Sequence, residues 1–301
     1  MKNYFFKVES ICSFRGSNTV PAKSMRPFMK WPIMLGCAMV IYSGCKQDSV
    51  KQQEVSASTK NQASVSNLAE DAVSIASATV YSAASGGTAI GSIGVNENLD
   101  AGTVSGTRTY VTYKTTGEDK SGWVASSAVR LTSWMWPIQA VNTTQDFNDY
   151  YADKGGYHLA IDMTSSVGID NIFAARGGTV VYAGYSSCNG NHVIIQHLNG
   201  TNPTVYTLYC HMTSINASIT NGAQVTKGQT IGQMGSTGCV TGKHLHFSIY
   251  SRNYSTDPYG YTSSGGTTVS RSDSKIVMSY SSGNVTYYDP QYVVRNSGQL
   301  P

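Results

Sequence analysis

Gly242-Lys243-His244-Leu245-His246-Phe247-Ser248-Ile249-Tyr250 alternates polar and apolar side chains from His244 onward and holds no breaker after its first residue. A period of two predicts a strand, with His244 and His246 on one face and Leu245 and Phe247 on the other. At a rise of about 3.3 Å per residue the two histidines stand roughly 6.6 Å apart. That spacing suits one metal ligand beside one proton-handling group better than two equivalent ligands.

Two further patches share this chemistry. They are Gly156-Tyr157-His158-Leu159-Ala160-Ile161-Asp162 and Leu208-Tyr209-Cys210-His211. The chain has six histidines, and His158, His211, His244 and His246 all fall in the three patches. Imidazole and carboxylate are the ligands from which three-residue catalytic zinc sites are made, with a further position left for water. On a straight strand His158 and Asp162 would be about 13 Å apart, too far to share an ion at bonds of about 2.0–2.2 Å. A helix or a turn must bring them together, and the flanking Lys154-Gly155-Gly156 and Met163-Thr164-Ser165-Ser166-Val167 favour a loop entering a strand.

The region from about Trp136 to Arg295 resembles the lysostaphin-type (LytM-like) zinc endopeptidases, which cut peptidoglycan peptides. The likeness extends beyond the histidines. Phe173-Ala174-Ala175-Arg176-Gly177-Gly178-Thr179-Val180-Val181-Tyr182-Ala183-Gly184 resembles the family's first core hairpin, and Gly190-Asn191-His192-Val193-Ile194-Ile195-Gln196-His197 its next strand. Gly222-Ala223-Gln224-Val225-Thr226-Lys227-Gly228-Gln229-Thr230-Ile231-Gly232 resembles its turn-and-strand segment, and Gly235-Ser236-Thr237-Gly238 leads into the histidine pair. The resemblance implies that His158, Asp162 and His246 hold one Zn²⁺ and that His211 and His244 are the catalytic histidines. One imidazole would accept the proton of water and the other stabilise the oxyanion or protonate the leaving amine, with either assignment open.

The chain departs from the family pattern at a few positions. Ala160 replaces a usual glycine between the ligands, and Lys243 replaces a common proline before the histidine pair. His192 stands where an aromatic residue is more usual and reads as a structural strand histidine, as does His197. No ligand is missing, which disfavours a competing reading as a non-enzymatic wall-binding or hydrolase-activating protein with the same fold.

Composition agrees with an all-β, turn-rich, exported protein: 30 glycines, 20 tyrosines and only 13% charged residues in 301. The net charge of +4 is mild, and no basic cluster with interleaved aromatics points to nucleic acid. Residues 1–45 read as an export segment. Lys23, Arg26 and Lys30 precede an apolar run from Trp31 to Tyr42, too short for a comfortable membrane span of about 20 residues. Ser43-Gly44-Cys45 then resembles a lipoprotein processing site, with Cys45 as the lipid anchor; ordinary cleavage or an uncleaved anchor are the alternatives. Met25 or Met29 could be the true start.

Residues 46–74 are rich in Ser, Gln, Lys, Ala and Val without periodicity and read as a flexible tether. Residues 75–132, with Ile90-Gly91-Ser92-Ile93 and Gly122-Trp123-Val124, resemble a bacterial SH3-like β-barrel domain, the alternative being a plain β-barrel spacer. The endopeptidase-like domain is then bounded at 136–296. Cys188 and Cys239 are expected to form a disulfide that pins the Gly-rich loop, since an oxidising compartment permits it. Cys210 reads as a buried strand residue facing away from the metal. The Ser-, Gly- and Tyr-rich stretch between Tyr250 and Tyr288 is open to two readings, a wall of the substrate groove or a surface loop. The expected partner is peptidoglycan, at the cell envelope.

Overall fold

Short alternating runs separated by glycine-rich turns build two antiparallel sheets. The computed structural model describes residues 70–198, 204–252, 265–296 and 298–301. The export segment and most of the tether, residues 46–69, lie outside the described residues. The first sheet holds β1 (Glu70–Ser74), β2 (Ala78–Tyr81), β3 (Ala89–Ile93), β4 (Asn98–Ser105), β5 (Arg108–Lys114), β6 (Asp119–Ala125) and β7 (Val129–Leu131), in spatial order β3-β2-β6-β5-β4-β1-β7. Alternation along β5 turns Thr109, Val111 and Tyr113 inward. Val111 and Tyr113 join Val80, Ile93, Leu99 and Val124 in a small core. Gly122 is required in β6, because a Cβ there would collide with the Val80 side chain.

The tether must be shortened. Glu70–Ser74, assigned to it from composition, is a strand paired with both β4 and β7, and Ala72 and Val73 are buried. A five-residue strand with so few inward apolar side chains is too brief to display a readable period.

The second sheet has twelve strands: β8 (Val141–Gln145), β11 (Ile161–Ser165), β12 (Asn171–Phe173), β13 (Gly178–Ser186), β14 (Gly190–His197), β15 (Val205–Ile215), β16 (Gln224–Val225), β17 (Thr230–Met234), β18 (Leu245–Tyr250), β19 (Thr267–Arg271), β20 (Lys275–Tyr280) and β21 (Gly283–Tyr288). A separate two-stranded ribbon, β9 (Tyr150–Tyr151) with β10 (Gly156–Tyr157), precedes the first histidine patch. The main path runs β16-β13-β14-β15-β18-β21-β20-β19, with β11, and beyond it β8, paired to the edge of β18 opposite β15, beside β21. The helix α1 (Pro290–Arg295) follows; Asp289 caps it by accepting from the Gln291 N–H, and Pro290 occupies its first turn.

The strand β18 is buried along its whole length because the sheet is covered on both faces. Leu245, Phe247 and Ile249 enter one core with Trp134, Trp136 and Tyr209. Tyr250 enters a second core with Leu159, Cys210, Ile276, Met278 and Tyr287. Cys210 is thus a buried strand residue, as expected, but it does not face away from the histidine cluster: it lies directly across from His246 in the strand register and so shares that residue's face. Beyond the undescribed residues 253–264, the stretch before Tyr288 is largely regular: β19, β20 and β21 extend the sheet, and β20 and β21 supply Ile276, Met278, Tyr280, Val285 and Tyr287 to the second core.

All the described residues belong to one compact unit, Ala63–Pro301. Val73 of β1 lies in the Trp134–Trp136 core. The Asn98 side chain accepts from the Trp136 N–H at 2.8 Å and donates to the carbonyls of Trp136 and Ile138 at 3.0 and 3.3 Å. Arg295 donates to the Asn96 Oδ1 at 3.0 and 2.8 Å, and Lys227 pairs with Asp71.

Candidate metal and catalytic site

The site begins with a register. Strands β11 and β18 pair so that Asp162 lies directly across from His246, and β15 pairs on the other side so that Cys210 lies across from it. Asp162 and His246 therefore share a face, and the Asp162 Oδ1 comes to 2.8 Å from the His246 Nδ1. The chain bends at Leu159–Ala160 before β11 starts, with Ser248 Oγ donating to the Leu159 carbonyl at 3.2 Å. That bend carries the His158 Nε2 to 3.2 Å from the His246 Nδ1 and 3.4 Å from the Asp162 Oδ1. The separation of a straight strand is thereby removed by a turn between the two residues, as the spacing required.

The three donor atoms lie within 4.8 Å of one another and belong to buried residues. Their mutual distances of 2.8–3.4 Å resemble the edge of a tetrahedron around an ion with bonds of about 2.0–2.1 Å, which is about 3.3 Å. The loop before β9 fixes His158 further. Its N–H donates to the Asp149 carbonyl and its carbonyl accepts from Asn148, both at 2.8 Å, while its Nδ1–H donates to the Asp146 carbonyl at 3.0 Å. The Nε2 lone pair then faces the cluster, as a ligand's must. Two imidazoles and one carboxylate fit a divalent ion of borderline softness.

Burial alone would push the Asp162 carboxyl up, but the charge of His246 and hydrogen bonds from His158 and His246 outweigh it and hold the group well below the usual carboxylate range. Burial pushes the His246 imidazole down, against the opposing pull of Asp162.

His211 and His244 stand beside this cluster. Their ring centroids are 4.9 Å apart, and the His244 Nε2 is 3.5 Å from the Asp162 Oδ2. Each is fixed by a backbone carbonyl: the His211 Nδ1–H donates to Thr237 and the His244 Nδ1–H to Gly242, both at 3.0 Å. Both Nε2 atoms consequently carry the lone pair. Burial, and then the neighbouring imidazoles, push His211 down to about 3, which keeps its ring neutral at ordinary pH. All five residues singled out from sequence come together, in a 3 + 2 arrangement.

Asp162, His246, His211 and His244 open on a cleft of about 600 Å³ whose lining also includes Gln145, Tyr151, Asn189, Val240 and Thr241, while His158 lies buried behind it. Sequence reading passed over Gln145 and Tyr151. Gln145 reaches the cleft only because β8 pairs with β11 opposite Asp162, and nothing local in Asn142-Thr143-Thr144-Gln145 announces that. Cys188 and Cys239 are joined in a disulfide across the cleft wall, as expected. His192 and His197 are buried away from it. The first stacks on Tyr182 at 4.5 Å, and the second bonds Gly177 and Thr207, which accords with structural roles.

Residues 156–258 match the model of peptidase family M23. Over 90 residues, 30% of this chain, it is 41% identical to the peptidoglycan DD-endopeptidase ShyC of Vibrio cholerae. Over 129 residues, 42% of this chain, it is 36% identical to the lipoprotein NlpD/LppB homolog of Pseudomonas aeruginosa. The chain spans only 19% and 39% of the length of these two relatives. Among solved structures, the catalytic domain of the antimicrobial peptidase lysostaphin from Staphylococcus simulans has 28% identity and a TM-score of 0.34, covering 39% of this chain and 86% of that one.

Proposed function

Because the chain carries a peptidase family M23 domain at residues 156–258, we propose that it is an exported zinc metalloendopeptidase that hydrolyses peptide bonds in peptidoglycan stems or cross-bridges. The observation that carries this reading is the convergence of three ligand atoms at 2.8–3.4 Å beside a cleft floored by two further imidazoles. His158, Asp162 and His246 would hold the ion, one per catalytic domain. Zinc bound there supplies Lewis acidity, polarising a scissile carbonyl and acidifying water toward a pKa of about 7.

The chain's own groups do the rest. His211 and His244 present Nε2 lone pairs toward the cleft, so one removes a proton from attacking water and the other, once protonated, gives a proton to the leaving amine or stabilises the oxyanion. Backbone carbonyls on both Nδ1–H groups keep these tautomers from exchanging roles with the wrong nitrogen. Tyr151, Gln145, Val240 and Thr241 shape the walls against which a peptide would lie.

The upstream sheet, residues 70–131, is read as an SH3-like wall-binding module on the sequence resemblance alone. Lipidation at Cys45 would hold the protein at the envelope; a relative named as a lipoprotein supports that expectation. The competing non-enzymatic reading has no ligand loss in its favour.

Clearing of purified cell-wall suspensions tests the activity. The wild type with zinc should lower turbidity, while chelator treatment or His246→Ala should reduce the rate by a factor of at least about a thousand, with zinc restoring only the chelated wild type. Equal clearing by the wild type and the ligand variant would refute the peptidase reading. Mass spectrometry of the new amino termini would identify the bond.

A further inference from the structure

His211 has a backbone φ of 63°, in the left-handed region that a non-glycine residue enters only when its surroundings insist on it. The reason is a change of partner. Strand β15 pairs with β18 as far as Cys210 and with β17 from Met212 onward, so His211 belongs to neither ladder. Its polar atoms are held instead by two loops. Its N–H donates to the Asn189 carbonyl at 2.8 Å, in the turn between β13 and β14. Its Nδ1–H donates to the Thr237 carbonyl at 3.0 Å, in the loop between β17 and β18.

Those two loops are fastened to each other at one place. Cys188 and Cys239 are covalently joined, and the Cys239 N–H donates to the Cys188 carbonyl at 2.9 Å. The Asn191 N–H donates to the Thr237 Oγ1 at 3.0 Å. Gly238, at φ 94°, presses on the Cys188 carbonyl so closely that a Cβ there would strike it. The loop from Ser236 to Lys243 has no strand pairing of its own among the described residues; only Gly235 and His244, at its roots, form a bridge.

We propose that the Cys188–Cys239 disulfide is a positioning element of the catalytic site, locking together the two loops whose carbonyls aim the His211 imidazole, so that hydrolysis depends on the oxidised pair. This rests on the peptidase reading of the same cleft. The three ligand residues come from the His158 bend, β11 and β18, not from these loops, so the metal site does not depend on the bond. An imidazole that moves by about 1 Å loses on the order of a hundredfold in rate. A proton-transfer group therefore suffers more from a loosened loop than a ligand cluster does.

The test uses the full chain loaded with zinc, in three forms: oxidised wild type, wild type reduced with a phosphine that converts the disulfide to two thiols and is itself oxidised, and Cys188→Ser/Cys239→Ser. Dye release from labelled cell-wall sacculi is measured against sacculus concentration, zinc content is measured per chain, and ¹⁵N-histidine spectra follow the His211 Nδ1–H. The expected result is a tenfold or greater fall in kcat in both modified forms, less than a threefold change in KM and unchanged zinc. The His211 Nδ1–H signal should broaden or vanish, and reoxidation of the reduced wild type should restore both rate and signal. Unchanged kcat with a sharp His211 signal after reduction would overturn the proposal, as would a fall in kcat that merely follows zinc loss. If the oxidised wild type releases no dye, the peptidase reading fails, and the His211 signal alone then decides whether the disulfide positions this ring.

Discussion

A carboxylate that caps a helix while half-buried meets two opposed demands, and Asp289 is such a residue. Its side chain accepts the Gln291 N–H at the start of α1. Burial nevertheless raises its pKa to about 6, a shift only partly offset by its hydrogen bonds and Arg295 and reinforced by the charge of Asp146. The folded state therefore prefers the protonated form. The associated stability is fully present below the ordinary value near pH 4 and is lost as pH rises through about 6. Asparagine keeps the cap without the charge. Relative to Asp289→Asn, the wild type should lose on the order of 2 kcal/mol between pH 4 and pH 7 in urea unfolding; a difference that stays flat over that range would contradict this account. At the same scale, the histidines and Asp162 were legible because their chemistry is rare and concentrated, whereas Gln145 and Tyr151 are ordinary residues that only position makes relevant.

Among the elements, the hairpin of β20 and β21 shows how composition can hide a pattern. Lys275-Ile276-Val277-Met278-Ser279-Tyr280 alternates, and Ile276, Met278 and Tyr280 are buried against Leu159, Leu208 and Tyr250. Read as part of a long Ser-, Gly- and Tyr-rich stretch, that period was swamped by residues equally at home in loops. Truncation should reveal the burial: Ile276→Ala is expected to cost about 2–4 kcal/mol in denaturant unfolding, whereas a surface hairpin would lose less than about 0.5 kcal/mol. The histidine strand was easier, since His244 to Ile249 alternates without interruption and its two faces differ sharply in chemistry. The bend at Leu159–Ala160 could be required from distance alone but not located, because both residues are buried and neither is a turn former.

At the scale of the described molecule, the two sheets are joined by a part-buried polar clamp as well as by apolar packing. Asn98 exchanges hydrogen bonds with the Trp136 backbone, and Val73 inserts into the core of the second sheet. Removing the Asn98 amide leaves the Trp136 N–H and carbonyl without these partners, which should destabilise the fold by about 1–3 kcal/mol. Because Val73 and Asn98 tie the first sheet to the core of the second, Asn98→Ala should lower amide-exchange protection in β5 and in β14 together. Loss confined to one sheet would mean that the two unfold independently. The composition shift near residue 132 carried no sign that the two sheets are bolted together, nor that β1 begins at Glu70.

What the chain determines by itself is local: the donor chemistry, the all-β character and the same-face placement of His244 and His246, all of which follow from backbone geometry over a few residues. Tertiary structure alone decided that His158 and Asp162 meet His246 across 88 and 84 residues of chain, and that β15 changes partner at His211. Strand register is set by which distant side chains fill a common core, and that information is spread over the whole sequence rather than written at the site.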